Sequence, residues 1–189
     1  MMDLCCTPAC YVEYCGKRYR IRTDFKIWIQ FEKTLLSDLA DEIKIVELLS
    51  LCYVKELPPS LFDALRLLIE FYGCGTDRGG QDERVEGEKE RIYDFSYDAE
   101  LFYAAFLEQY GIDLLESDLH WWKFLALFRS ISPDTRLFKV LSWRAAKLSD
   151  ISDSKQKDYI KRMKRLYRLP KNSLAKKDDT QIAELISEL

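Results

Sequence analysis

Apolar and polar residues alternate on both sides of Cys15-Gly16-Lys17 through residues 10–22 (CYVEYCGKRYRIR), which predicts a short β-hairpin turning at Gly16. A two-stranded ribbon does not hold alone in water, so it must lie on something larger. The period then changes from two to that of a helix. Phe25, Trp28, Ile29, Leu35, Leu36 and Leu39 recur at helical spacing after Thr23, read as the N-cap, with Asp24 at the positive end of the helix dipole. Residues 43–52 repeat the helical pattern. Pro58-Pro59 then open a third helix whose stripe is Leu61, Leu65, Leu68 and Tyr72, and Gly73 ends it.

Between residues 74 and 92 the chain turns to Gly, Asp, Glu, Arg and Lys with almost no apolar side chain, too little to repay the entropy of ordering, so a mobile loop is expected. Residues 97–110 are aromatic-rich and helical, and Gly111 closes them. Ser117-Asp118 begin a helix carrying Trp121, Trp122, Phe124, Leu125 and Phe128, apolar around most of its circumference and therefore expected at the centre of the fold. Ser132-Pro133-Asp134 reads as N-cap, first-position proline and first-turn acid of the next helix, through Phe138, Leu141, Ala145 and Leu148. Ser152 or Asp153 starts a basic amphipathic helix over 154–169, with Ile160, Met163, Leu166 and Tyr167 on one face, and Pro170 stops it. After a tether at 171–178, Ile182, Leu185, Ile186 and Leu189 give the stripe of a small terminal helix over 179–189, too short to be stable unaided. The fold class expected is mainly α: one helical domain over 1–170 with a hairpin at 10–22, a loop at 74–92, a tether and a final helix.

Composition fits this reading. A chain of 189 residues, 48% hydrophobic, is long enough to bury roughly 70% of the surface its unfolded form exposes, with no need of a metal or disulfide staple. The net charge of −3 argues against a general polyanion binder but hides an asymmetry. Between Lys155 and Lys177 stand ten Lys or Arg and one acid, Asp158, so a basic region is attached to an acidic body. The longest strongly apolar run, residues 101–107, is far too short to span a bilayer, and the N-terminal residues do not resemble a signal peptide, so a cytosolic protein with free thiols is expected. Four of its six cysteines, Cys5, Cys6, Cys10 and Cys15, crowd the N-terminus at spacings unlike those of zinc sites.

The local signatures of catalysis are absent: there is no Gly-x-Ser-x-Gly, Walker loop or His-Glu-x-x-His. The single histidine, His120, lies beside Trp121-Trp122, where a packed, hydrogen-bonded ring is expected in place of a base. No catalytic, cofactor-binding or metal-binding residue is assigned. The candidate partner-binding residues are Lys157, Lys161, Lys164, Arg165 and Arg168 of the basic helix, with Ile182, Leu185, Ile186 and Leu189 of the terminal stripe. The basic helix admits several readings: a solvated face, a site for an acidic partner, or a phosphate-binding surface whose affinity would fall with salt. Aromatic residues do not interleave with its charges, which weighs against nucleic acid.

Four stretches taken together carry a resemblance: residues 16–29 (GKRYRIRTDFKIWI), 97–114 (YDAELFYAAFLEQYGIDL without Glu108), 119–124 (LHWWKF) and 164–170 (KRLYRLP). In that order they resemble the bacteriophage "gp-fifteen" family of tailed phages and prophages of Gram-positive bacteria, over about residues 11–170. The resemblance implies a tail-module protein made in the bacterial host cytoplasm. It further implies a tail-assembly chaperone that binds the tape-measure protein, the tail-tube protein or both, self-associates along its client and catalyses nothing. The family brings no catalytic residues to carry over. Two other readings stay open, a nucleic-acid-binding accessory protein using residues 155–177 and a structural tail component kept in the virion; no membrane partner is expected.

Overall fold

The structure, a computed structural model, describes residues 5, 7–74 and 91–170. Among them are a hairpin of β1 (Tyr11–Tyr14) and β2 (Lys17–Arg20) and seven α-helices: α1 (Phe25–Leu35), α2 (Asp41–Cys52), α3 (Leu61–Tyr72), α4 (Ala99–Tyr110), α5 (Trp121–Arg129), α6 (Arg136–Ala145) and α7 (Ser154–Leu166). The chain is mainly α, as its periodicity indicates. Most of the expected loop, residues 75–90, lies outside the described residues, and so do the tether and the terminal helix. Two compact units divide what is described: the first holds residues up to 74 together with Asp118–Leu125, and the second holds 91–117 and 126–170.

In the first unit the hairpin pairs Val12 with Tyr19 and Tyr14 with Lys17 across a two-residue turn in which Cys15 and Gly16 both have positive φ, 49° and 76°. Two positive φ values give the turn the twist that antiparallel strands need, and the glycine makes its half inexpensive. Val12 and Tyr19, on one face of the ribbon, are both buried. The ribbon continues into the helices: Arg22 N donates to Cys52 O and Val54 N donates to Arg20 O. The Arg22 guanidinium donates to the carbonyls of Ser50, Leu51 and Tyr53, placing a cation on the negative end of α2.

The core of this unit is aromatic. Trp28, fully buried, has Phe31, Phe71, Tyr72 and Trp121 around it at ring-centroid distances of 4.8 to 6.4 Å, and its indole donates to Arg22 O. The indoles of Trp121 and Trp122 donate to the carbonyls of Tyr72 and Phe71 at the end of α3, and the Phe71 carbonyl also accepts from Cys74 N. Tyr72 donates its hydroxyl to the buried Glu32 carboxylate. Cys52 has no exposed surface, and burial pushes its thiol up to about 12.

Several expected boundaries move. Asp24, not Thr23, caps α1, because its carboxylate accepts from Lys26 N while the Thr23 carbonyl accepts from Trp121 N. The stripe of α3 is rotated: Leu61 is 53% exposed, and the residues buried are Ala64, Leu65, Leu67, Leu68 and Phe71. α5 begins at Trp121, three residues later than Asp118 suggests, with His120 as its cap. The His120 Nδ1 accepts from Trp122 N at 3.1 Å, so its proton sits on Nε2, which donates to Ala9 O at 3.0 Å.

Burial holds the His120 imidazole below the ordinary histidine range and the charge of Lys123 acts the same way, whereas the bond to Ala9 opposes both. A lowered folded value means that the stabilisation is complete above the unfolded value of about 6.5 and is lost as pH falls through the folded one. Thermal melts of the wild type and of His120→Asn, a cap that does not titrate, should therefore diverge below about pH 6.5, the wild type losing more. Parallel pH profiles would show that the ring carries no such load.

In the second unit Asp94 accepts from Ser96 N and Tyr97 N, folding the chain into α4. Gly111, at φ 65°, closes α4 with Ile112 N donating back to Phe106 O. Tyr93, Phe95, Phe102 and Phe128 form an aromatic cluster with centroids 4.9 to 6.3 Å apart. The apolar residues of α5 thus serve two interiors: Trp121, Phe124 and Leu125 in the first unit, Phe128 in the second. Helix α6 starts at Arg136, with Thr135 accepting from Phe138 N; Ser132-Pro133-Asp134 form the turn before it instead of its first residues. Thr135 takes the role expected of Ser132 because its own hydroxyl donates to Ser132 O and fixes that turn.

Candidate protein-binding site

Most of the residues that the sequence nominates for binding lie on or just beyond α7, so the site is built from that helix. Asp153 caps it, accepting from Lys155 N, and Lys164 and Arg165 occupy its last turn, where cations meet the negative end of the dipole. The helix carries six cations against one acid, Asp158, and none of its residues is buried. An amphipathic helix in a packed interior normally hides its apolar face. This one is held differently.

Polar and aromatic contacts fasten α7 to α6. Arg144 Nε donates to Tyr167 O at 2.7 Å, Arg136 donates to the Tyr167 hydroxyl at 2.9 Å, and Lys164 Nζ donates to Ala146 O at 2.9 Å. The Trp143 ring lies 5.2 Å from Tyr167 and 6.3 Å from Tyr159. Behind these contacts Arg144 makes a buried two-pronged pair with Asp98, at 2.6 and 2.8 Å, and also donates to Ile92 O. This one side chain ties together the entry to α4, the end of α6 and the end of α7. Nothing local in the sequence marks the pair, whose members are 46 residues apart.

Of the nominated residues, Lys157, Lys161, Arg165 and Arg168 are exposed, and their side chains make no ion pair among the described residues. Lys164 is half-buried and anchors α7. Ile182, Leu185, Ile186 and Leu189 lie outside the described residues. Leu166 is a correction: expected on the packed face, it is 66% exposed. Ile160, Met163 and Tyr167 set the inward direction, and at 100° per residue Leu166 falls about 120° away from Ile160. Tyr159, 43% exposed, lies on the same flank as Leu166, with the Arg162 guanidinium 5.7 Å from its ring centroid. Counting helical angle from the packed residues alone would have found this flank.

Chemistry of other kinds has little to work with. A depression of about 550 Å³ is lined by Ser142, Ala145, Ala146, Lys147, Asp150 and Ile151, of which only Lys147 and Asp150 ionise. Among the described residues no group of three or more His, Cys, Asp or Glu is placed to hold a metal ion, and no helix is long and apolar enough to cross a membrane.

A family model described as Bacteriophage Gp15 protein matches residues 7–169 of the chain, spanning all four of the motifs singled out in the sequence apart from the final Pro170. No curated protein matches, and no solved structure matches.

Proposed function

The chain belongs to the Bacteriophage Gp15 protein family, and from that premise, a role in phage structure or morphogenesis, we propose that it is a tail-assembly chaperone that binds the tape-measure protein, the tail-tube protein or both, without catalysis. The observation that supports binding is α7, a helix attached at its C-terminal end by polar clips and by rings packed on Trp143, with most of its cations and the exposed parts of Tyr159 and Leu166 turned to water. Surplus charge and apolar surface on a helix suit the grip of another helix better than the transformation of a small molecule.

A chaperone of this kind holds its client and later lets it go, so its contact should be broad and weakly anchored. Exposed cations supply fast, salt-sensitive encounter, and a few apolar residues supply register. Co-expression with the tape-measure protein of the same phage should move that protein from the pellet to the soluble fraction and yield a complex on purification. Absence of any complex, with both proteins folded, would count against the chaperone reading. Mass spectrometry of finished particles separates it from a structural tail component: a chaperone leaves, whereas a component stays.

A further inference from the structure

Lys155, Tyr159, Arg162 and Leu166 are spaced by four, three and four residues, which stacks them in one row along α7. The row is about 16 Å long at 1.5 Å per residue. Its apolar members, Tyr159 and Leu166, stand seven residues apart, the interval at which a second helix inserts side chains of its own. Lys155 and Arg162 alternate with them, Lys161 and Arg165 continue the positive field around the helix, and none of these four cations makes an ion pair among the described residues.

Resting on the chaperone reading for the partner's identity, we propose that this flank of α7 is a docking strip for an acidic amphipathic helix of another protein. Such a helix meets the strip on both counts. Its apolar seam covers Tyr159 and Leu166, and carboxylates beside the seam pair with the flanking cations, which sets direction and register. Against the expectation from the sequence, an aromatic ring, Tyr159, does stand between cations of this row, and a nucleic acid would match it and the cations but not Leu166. It would leave Leu166 against a hydrated phosphate backbone, and Asp158 would stand among the phosphates. An anionic membrane would require a wider apolar face than two side chains provide.

The test uses the full-length chain and a fluorescent three-heptad peptide with Leu at the seam and Glu beside it, read by anisotropy. A second peptide with Lys in place of Glu, and a DNA duplex of similar length, serve as comparisons. The Glu peptide should bind and weaken as salt rises, and the Lys peptide should not bind. Arg162→Glu combined with Arg165→Glu should lower affinity for the Glu peptide by roughly tenfold or more and transfer binding to the Lys peptide. Tyr159→Ala combined with Leu166→Ala should weaken the Glu peptide by a similar factor, and Leu166→Ala alone, which removes no ring contact to α6, should weaken it with an unchanged melting curve. Equal binding of both peptides, tighter binding of DNA, or indifference to either pair of substitutions would overturn the assignment. A co-expressed tape-measure complex that survives the Arg162 and Arg165 changes would remove the strip and leave the chaperone reading standing. A strip that binds the Glu peptide in a chain that makes no such complex would do the reverse.

Discussion

Arg144→Met will destabilise the second unit by about 3–5 kcal/mol, because breaking one half of a buried ion pair strands the other half. Asp98 is only 2% exposed, and with the guanidinium gone it keeps one described donor, Asp94 N. Methionine fills much of the arginine stem's space, so the loss is chiefly electrostatic and not a cavity effect. The substitution also removes the bonds to Ile92 O and Tyr167 O, which unfastens the entry to α4 and the end of α7 at once. Hydrogen exchange on the α4 and α6 amides reads the effect within this unit. Asp98→Leu added to Arg144→Met should recover a part of the loss, since deleting a buried pair costs less than breaking it. A single-variant loss below about 1 kcal/mol would place the pair among the interactions that contribute little.

The second large effect is in the other unit. Trp28→Ala should cost about 3–5 kcal/mol, the range for emptying a large aromatic site in a packed core. No part of Trp28 is exposed, and four rings lean on it. Those rings come from α1 itself, from α3 and from the start of α5, so the cavity cannot close by moving one element. Trp28→Phe keeps most of the apolar volume but drops the donor to Arg22 O, and its cost should be smaller, about 1–3 kcal/mol for one unmatched polar group. Denaturant melts followed by hydrogen exchange on α1 and α3 amides provide the comparison. A Phe variant as damaged as the Ala variant would mean that the hydrogen bond, and not the packing, holds the site.

How much of this was legible in the sequence depends on the range of the signal. The hairpin was visible because alternation and Gly16 act within a few residues, and the structure turns at Cys15-Gly16. Gly111 likewise marked where α4 stops, whereas α7 ends at Leu166, three residues short of the end expected from Pro170. Caps were displaced by one to three residues because Thr23, Asp24, Ser132 and Thr135 are all able to cap, and tertiary hydrogen bonds choose among them: the Thr23 carbonyl is taken by Trp121 N. The Asp98–Arg144 pair left no local trace. The basic face of α7 was evident, and Ile160, Met163 and Tyr167 lie inward as expected, but Leu166 was placed on the wrong side, since it is adjacent to Tyr167 in sequence and about 100° from it in space. The family signal came from four separated motifs, and the match over residues 7–169 covers them almost entirely.

The way α7 is seated has a mechanical consequence. With no fully buried residue in the helix, peeling it from α6 uncovers the half-buried Ile160, Met163 and Tyr167 and not a closed core, so the opening has a smaller heat-capacity change and a weaker response to urea than unfolding of the whole unit. Lifting the helix exchanges a few hydrogen bonds for water and parts Tyr159 and Tyr167 from Trp143, and reseating it restores the same contacts. A lever that detaches cleanly and goes back is the kind of part that can be used repeatedly during assembly.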